Sequence, residues 1–311
     1  MATIGIESIR EIRLNVVPAE RRFDSCDDLA VHEHVRDAYQ SKKYDGEPKS
    51  KDEADAQGKK SFNGLMSSFS RICTYPSDQG TVVIADIAPT RYLISQAMRD
   101  VVKASPGLSK EEIQDMSPDM ANVSLVTPVK SNNQYFLLSQ IKGKALGSGE
   151  IHAALVAGNI DAGYLKSKNP LAAALREECS EELGMDLSTL DHTSAVYMVD
   201  ERETGQVNFA FVARNADADR IFDAYEASTK AKLAQKESLE VMALSLLPVA
   251  GIALVPLEGA GRGVNVRCYV PSEKGLLWVT ETRGLRPYTQ ATLEYLTDQK
   301  NVRFLLEKAG F

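Results

Sequence analysis

The sequence predicts an α/β protein, a mixed sheet flanked by helices and preceded by a further α/β region. Three observations carry this expectation. An apolar run at 81–88 (TVVIADIA) is followed by helical apolar spacing at 90–103. Two strand-like runs, 123–129 and 135–141, flank the turn sequence SNNQ. A run of strong helix formers at 170–183 precedes a second strand pair, 193–199 and 206–213.

The elements follow in order. Residues 4–17 alternate loosely and fit either a strand or an amphipathic helix. Residues 40–61 are polar and charged and read as a solvated loop. Thr90 is the expected cap of the helix at 90–103, and 105–116 suggests a second short helix. Pro118 and the polar residues of MSPDMAN place a boundary near 117–121. This divides the chain into an N-terminal α/β region, 1–118, and a second domain, 119–311, that includes the C-terminal helix. Residues 150–157 (EIHAALVA) read as a short strand, 217–236 as a charged helix, and 240–254 as holding at least one buried strand. Residues 289–311 close the chain with one or two amphipathic helices.

Composition narrows the functions. A chain of 311 residues, 43% hydrophobic and 25% charged, has the balance of a soluble globular protein of one large or two ordinary domains. With a net charge of −7 and no basic stretch, duplex nucleic acid is not an expected partner. No run approaches the ~20 apolar residues that cross a bilayer, and the N-terminus lacks a signal-peptide pattern. Cys26, Cys73, Cys179 and Cys268 form no CxxC pair, so a zinc ribbon has no support. The expectation is a reduced, cytoplasmic protein without a membrane partner.

The informative segment is 163–185, GYLKSKNPLAAALREECSEELGM. Pro170 suits a first helical turn and Gly184 a helix end. Glu178, Glu181 and Glu182 are spaced i, i+3 and i+4, so their carboxylates share a face and repel one another. Such a face suits solvation or a hard cation such as Mg²⁺, which favours carboxylate oxygens. The segment resembles the Nudix box, G-x5-E-x7-R-E-U-x-E-E-x-G-U, where U is a bulky aliphatic residue. Gly163, Glu178, Glu181, Glu182 and Gly184 fall on specified positions, Met185 fits the final U, and Cys179 fits the first loosely. Asn169 replaces the first box glutamate and Glu177 the arginine, with Arg176 one residue earlier.

The resemblance covers about residues 120–260 and implies a Nudix-type α/β/α sandwich. It implies hydrolysis of a pyrophosphate bond in a nucleoside diphosphate linked to another moiety, assisted by Mg²⁺ or Mn²⁺. Glu178 and Glu182 would be metal ligands, Glu181 a further ligand or the base, and the Gly163 carbonyl would face the metal. In this family the base often lies outside the box. Glu237 and Glu240, just before a strand, rank above Glu201 and Glu203 for that role. The arginine pairs with the glutamates in the family, so its loss calls for a compensating cation, with Lys166 and Lys168 nearest in sequence. The alternative is a non-catalytic Nudix-fold protein that binds a nucleotide or a partner. An N-terminal extension helps substrate binding or dimerisation in larger relatives, so a homodimer is compatible.

Other features read as ordinary structure. His152 precedes the box and could reach a phosphate, but a structural strand-end histidine is the simpler reading. His32 and His34 have poor zinc spacing. Trp278 could stack a nucleobase, with rim packing the default. GAGRG at 259–263 lacks the strand and helix of a dinucleotide loop and reads as a turn.

Overall fold

The N-terminal alternation resolves into strands. In the computed structural model β1 spans Thr3–Ile6 and β2 Ile9–Val16. The structure describes residues 3–6, 8–17, 32–59, 62–143, 149–201, 204–235, 237, 239–249, 254–256, 262–272 and 275–311. Helix α1 (Glu33–Ser41) follows, then a 3₁₀ turn (Tyr44–Gly46) and α2 (Lys51–Ala56). The segment expected to be a solvated loop therefore holds a short helix with Ala54 buried. Local capping overrides its polar composition, because the Glu53 carboxylate accepts from Lys49 N–H and the Ser50 hydroxyl from Glu53 N–H.

Strands β3 (Leu65–Tyr75) and β4 (Thr81–Arg91) pair antiparallel, and β2 pairs parallel with β4. Helix α3 (Leu93–Ala104) starts later than expected, because Thr90 still belongs to β4. Its cap comes from a distance: the Asn63 side-chain oxygen accepts from Leu93 N–H at 3.0 Å. Helix α4 (Lys110–Asp115) has a full capping box, Ser109 with Glu112.

Strand β5 (Met120–Ser131) turns through Asn132 and Asn133, both at positive φ, into β6 (Gln134–Lys142). The apolar run at 150–157 is not one strand. It splits into β7 (Ile151–His152), paired with β6, and β8 (Val156–Asn159), paired with β5. Helix α5 (Pro170–Leu183) is followed by β9 (His192–Glu201) and β10 (Gln206–Ala213). Next come α6 (Ala218–Ala234), β11 (Val241–Pro248) and β12 (Leu254–Pro256). The hairpin β13 (Arg262–Ser272) and β14 (Gly275–Gly284) leads to α7 (Pro287–Tyr295) and α8 (Gln299–Lys308).

The sheet is mixed and largely antiparallel. β10 lies parallel to the first half of β5 and antiparallel to β9, whose far edge takes β1. The second half of β5 pairs with β6, which continues through β11 to β13. Alternation along the strands feeds two hydrophobic clusters. One holds Val123, Leu125 and Leu138 with Leu175, Cys179 and Leu183 of α5 and Tyr225 of α6. The other holds Val126, Leu137 and Ile141 with Tyr288 of α7 and Leu305 of α8. Ile9, Phe69, Val83 and Ile87 from β2–β4 join the first cluster, so strands on both sides of residue 118 share a core. Helices α1, α3 and α4 pack in a third. Among the described residues no helix is long and apolar enough to cross a membrane.

Candidate active site

Helix α5 forms for the reasons its sequence contains. The Asn169 side chain accepts from Ala172 N–H at 3.1 Å, Pro170 occupies the first turn, and Gly184 ends the helix at φ +67°. Leu171, Ala174, Leu175, Cys179 and Leu183 bury the apolar stripe. That seating turns Glu182 inward at 3% exposure, leaves Glu178 half-buried, and leaves Glu177 and Glu181 exposed.

Glu182 meets the ends of two strands. Its carboxylate accepts from Ala157 N–H at 3.1 Å and from Gln140 Nε2 at 3.3 Å, and it forms a buried ion pair with Lys142. The Lys142 ammonium also donates to the Ala157 carbonyl at 3.2 Å. Glu178 lies against the next residue of β8: a Cβ on Gly158 would come within 1.6 Å of its Oε1. The missing side chain therefore makes the space that this carboxylate fills.

A second glycine brings in Glu240. A Cβ on Gly143 would lie 2.4 Å from the Leu239 carbonyl, while Gly143 N–H donates to the Glu240 carbonyl at 2.8 Å. The segment entering β11 thus passes hard against the end of β6. The Glu240 charge acts on both Glu178 and Glu182. Burial pushes the Glu178 carboxyl well above the usual range, and repulsion from Glu182 adds to it while Lys142 opposes it. Burial also raises Glu182, against the pull of Lys142 and the Ala157 hydrogen bond.

The structure thus brings together Glu178, Glu182 and Glu240, with Glu181 contributing a like charge to Glu178. Glu237 is exposed. Glu201 lies on β9, buried and near Arg286, where burial pushes its carboxyl up to about 7. Glu203 lies outside the described residues, as do Cys26 and most of GAGRG. Gly163 sits exposed in a 3₁₀ turn (Ala162–Lys166), its N–H donating to Asp161 at 2.6 Å. The glycine packed against a box carboxylate is Gly158.

The compensating cation is Lys142, not Lys166 or Lys168, both of which are exposed. Glu177, at the arginine position, accepts a hydrogen bond from the hydroxyl of Tyr164 in the preceding turn. Helix and loop are therefore tied through a different pair. Sequence reasoning missed Lys142, Gln140 and Gly158. Gln140 and Lys142 are two apart at the end of an otherwise apolar strand, hence on one face, and Gly158 interrupts a strand. Those were the available signals.

The remaining features are structural. His152 is buried and stacks on Tyr288 at 4.4 Å. His32 caps α1 by accepting from His34 N–H at 3.3 Å. Trp278 packs on Phe222 and Tyr269, with the Arg267 guanidinium 4.7 Å above its ring.

No family model matches this chain, and no curated protein matches it.

Among the described residues no three His, Cys, Asp or Glu side chains converge tightly enough to hold a metal ion by themselves. The donor chemistry nevertheless fits a hard divalent cation. It is all oxygen, it carries more carboxylates than Lys142 neutralises, and the buried Gln140 Oε1 beside Glu182 has no hydrogen-bond partner. Mg²⁺ commonly takes one or two carboxylates and completes its shell with water and substrate phosphate.

Proposed function

We propose that this chain is a Nudix-type pyrophosphohydrolase of the cytoplasm. It would use Mg²⁺ or Mn²⁺ and cleave a nucleoside diphosphate linked to another moiety. The observation that carries this reading is the carboxylate of Glu178 seated in the space left by Gly158, with Glu182 and Glu240 near enough for their charges to act on it. Burial raises the two helix carboxyls there, and repulsion from neighbouring carboxylates adds to it. Keeping like charges together at a half-buried edge is unfavourable without a ligand that repays it, and such perturbed groups cluster at functional sites. The layering of α5 and α6 on one face and α7 and α8 on the other is compatible with the sandwich that the box implies.

A bound cation would supply charge neutralisation and Lewis acidity at the phosphate oxygens. The chain's own residues do the rest. Glu178 holds its carboxylate against β8 at Gly158, and the exposed Glu181 adds a like charge beside it. Glu182, saturated by Lys142, Gln140 and Ala157, fixes the end of α5 to β6 and β8. Glu240 is the residue suited to take the proton of the attacking water, because Gly143 clamps its backbone beside Lys142 and its charge reaches Glu178. Water oxygen bonds to phosphorus, the anhydride P–O bond breaks, and a mononucleotide and a phosphorylated second product leave.

The test is release of mononucleotide from nucleoside-diphosphate sugars, dinucleoside polyphosphates, coenzyme A and NAD-like compounds, with Mg²⁺ and with Mn²⁺. Turnover that needs the cation and is lost in Glu178→Gln supports the reading. Turnover that persists in that variant refutes the site. One observation favours a second reading, a Nudix-fold nucleotide binder without hydrolysis: both oxygens of Glu182 are already held by protein donors. Nucleotide binding by calorimetry, with no turnover across the panel, would select it.

A further inference from the structure

Lys142 is buried, with its side chain 8% exposed, and pairs with Glu182, whose side chain is 1% exposed. A lysine has three donors, and here two of them meet the Glu182 carboxylate and the Ala157 carbonyl. A carboxylate oxygen and a backbone carbonyl oxygen facing one positive centre form a cation site of the hard-oxygen type, filled by an ammonium carried on the chain. The other Glu182 oxygen is taken by Ala157 N–H and Gln140 Nε2. Gln140 and Lys142 reach the same carboxylate because they alternate on β6, and Lys142 pairs across the sheet with Val241, next to Glu240.

We propose that Lys142 is a built-in cation of the carboxylate cluster. It is a positioning residue that takes the place of a divalent ion at Glu182. The replacement has a physical basis. Glu182 is the deepest carboxylate of the cluster, and a tethered ammonium neutralises it without the dehydration that Mg²⁺ undergoes only reluctantly. The inference rests on the cation-site reading above, and its test separates the two.

The test compares the full-length chain with Lys142→Met, which keeps length and removes charge, and with Lys142→Met/Glu182→Gln. Thermal unfolding is followed in EDTA and in Mn²⁺, and bound Mn²⁺ per chain is counted by electron paramagnetic resonance. In EDTA, Lys142→Met should lose about 5–10 °C in Tm, since Glu182 is left as an uncompensated buried charge. Mn²⁺ should restore most of that loss, with one more ion bound per chain than in wild type. The double variant should regain stability in EDTA and bind no extra ion. A lysine needed only for packing would give a loss that Mn²⁺ does not repair and that Glu182→Gln does not relieve, which overturns the proposal. So would a Lys142→Met chain with wild-type stability in EDTA. If Lys142→Met does not fold in EDTA, it is refolded with Mn²⁺, and failure there together with an unfolded double variant overturns it as well. A wild type that binds no Mn²⁺ and turns over nothing defeats the hydrolase reading alone, because the gained ion in Lys142→Met still reports on Lys142.

Discussion

Replacing Gly158 with alanine should separate the stability of the chain from its function. The three atoms nearest to a Cβ there all belong to the Glu178 carboxyl group, at 1.6, 1.9 and 2.4 Å. Heavy atoms in contact sit about 3.5 Å apart, so the carboxylate must retreat by about 2 Å. It is the far end of a flexible side chain, it already suffers repulsion from Glu182, and alanine is favoured over glycine in a strand by ~0.5–1 kcal/mol. The net change in stability should stay within about 1 kcal/mol. The change in function should be large, because a displacement of ~1 Å in a positioned catalytic group costs about 100-fold. Turnover should fall at least ~100-fold and Mn²⁺ affinity about 10-fold or more, while thermal unfolding shifts by no more than a few degrees. Calorimetric titration with Mn²⁺, kinetics and a melting curve on one preparation suffice. Wild-type turnover and Mn²⁺ affinity in Gly158→Ala would refute the placement of Glu178 at the working centre. A collapsed fold would show that the glycine serves the strand and not the carboxylate.

Glu178→Gln and Glu182→Gln should part company in urea unfolding. The first relieves repulsion and holds or raises stability, whereas the second strands the buried Lys142 charge and costs about 3–5 kcal/mol. Equal effects would refute the division of roles. Burial raises Glu201 to about 7, so the folded chain holds that proton more tightly than the unfolded one. Its contribution to stability therefore falls as pH rises from about 4.3 to 7, by up to about 4 kcal/mol, and is flat above. Glu201→Gln should remove that slope and gain stability at pH 8, as read from unfolding at pH 5 and pH 8. Asn63→Ala should cost about 2–3 kcal/mol in the same assay, since it uncaps α3 and removes the buried Asn63 contact with the Tyr39 hydroxyl. A loss confined to a few tenths would show that water replaces the cap.

Where the signal was local, the sequence sufficed. The helix at 170–183 has its cap, its first-turn proline and its terminal glycine in consecutive positions, and the structure forms it with those bounds. The hairpin through Asn132 and Asn133 is equally self-contained. Long-range effects were not legible. The start of α3 depends on Asn63, thirty positions away along the chain. The β13–β14 hairpin alternates in β13, with Val264, Val266 and Cys268 buried and Asn265 and Arg267 exposed, but the run is short on large aliphatic residues and follows a glycine-rich turn sequence. The carboxylate face could be read from spacing on one helix, but its counter-cation could not. Lys142 lies forty positions before Glu182, and only the pairing of β5, β6 and β8 brings them together.

The sheet also imposes an order on synthesis. Strand β1 leaves the ribosome long before its partner β9, with Thr3 opposite Asp200. The first half of β5 waits in the same way for β10, with Met120 opposite Gln206. Until about residue 213 has emerged, the nascent chain carries strands whose hydrogen-bonding edges have no native neighbour. Pairings of such high sequence separation form slowly, and the exposed edges invite association with other chains meanwhile. Strand β6 waits longer still, for β11, so maturation of this protein should be sensitive to chaperone supply and to translation speed from 120 through 248.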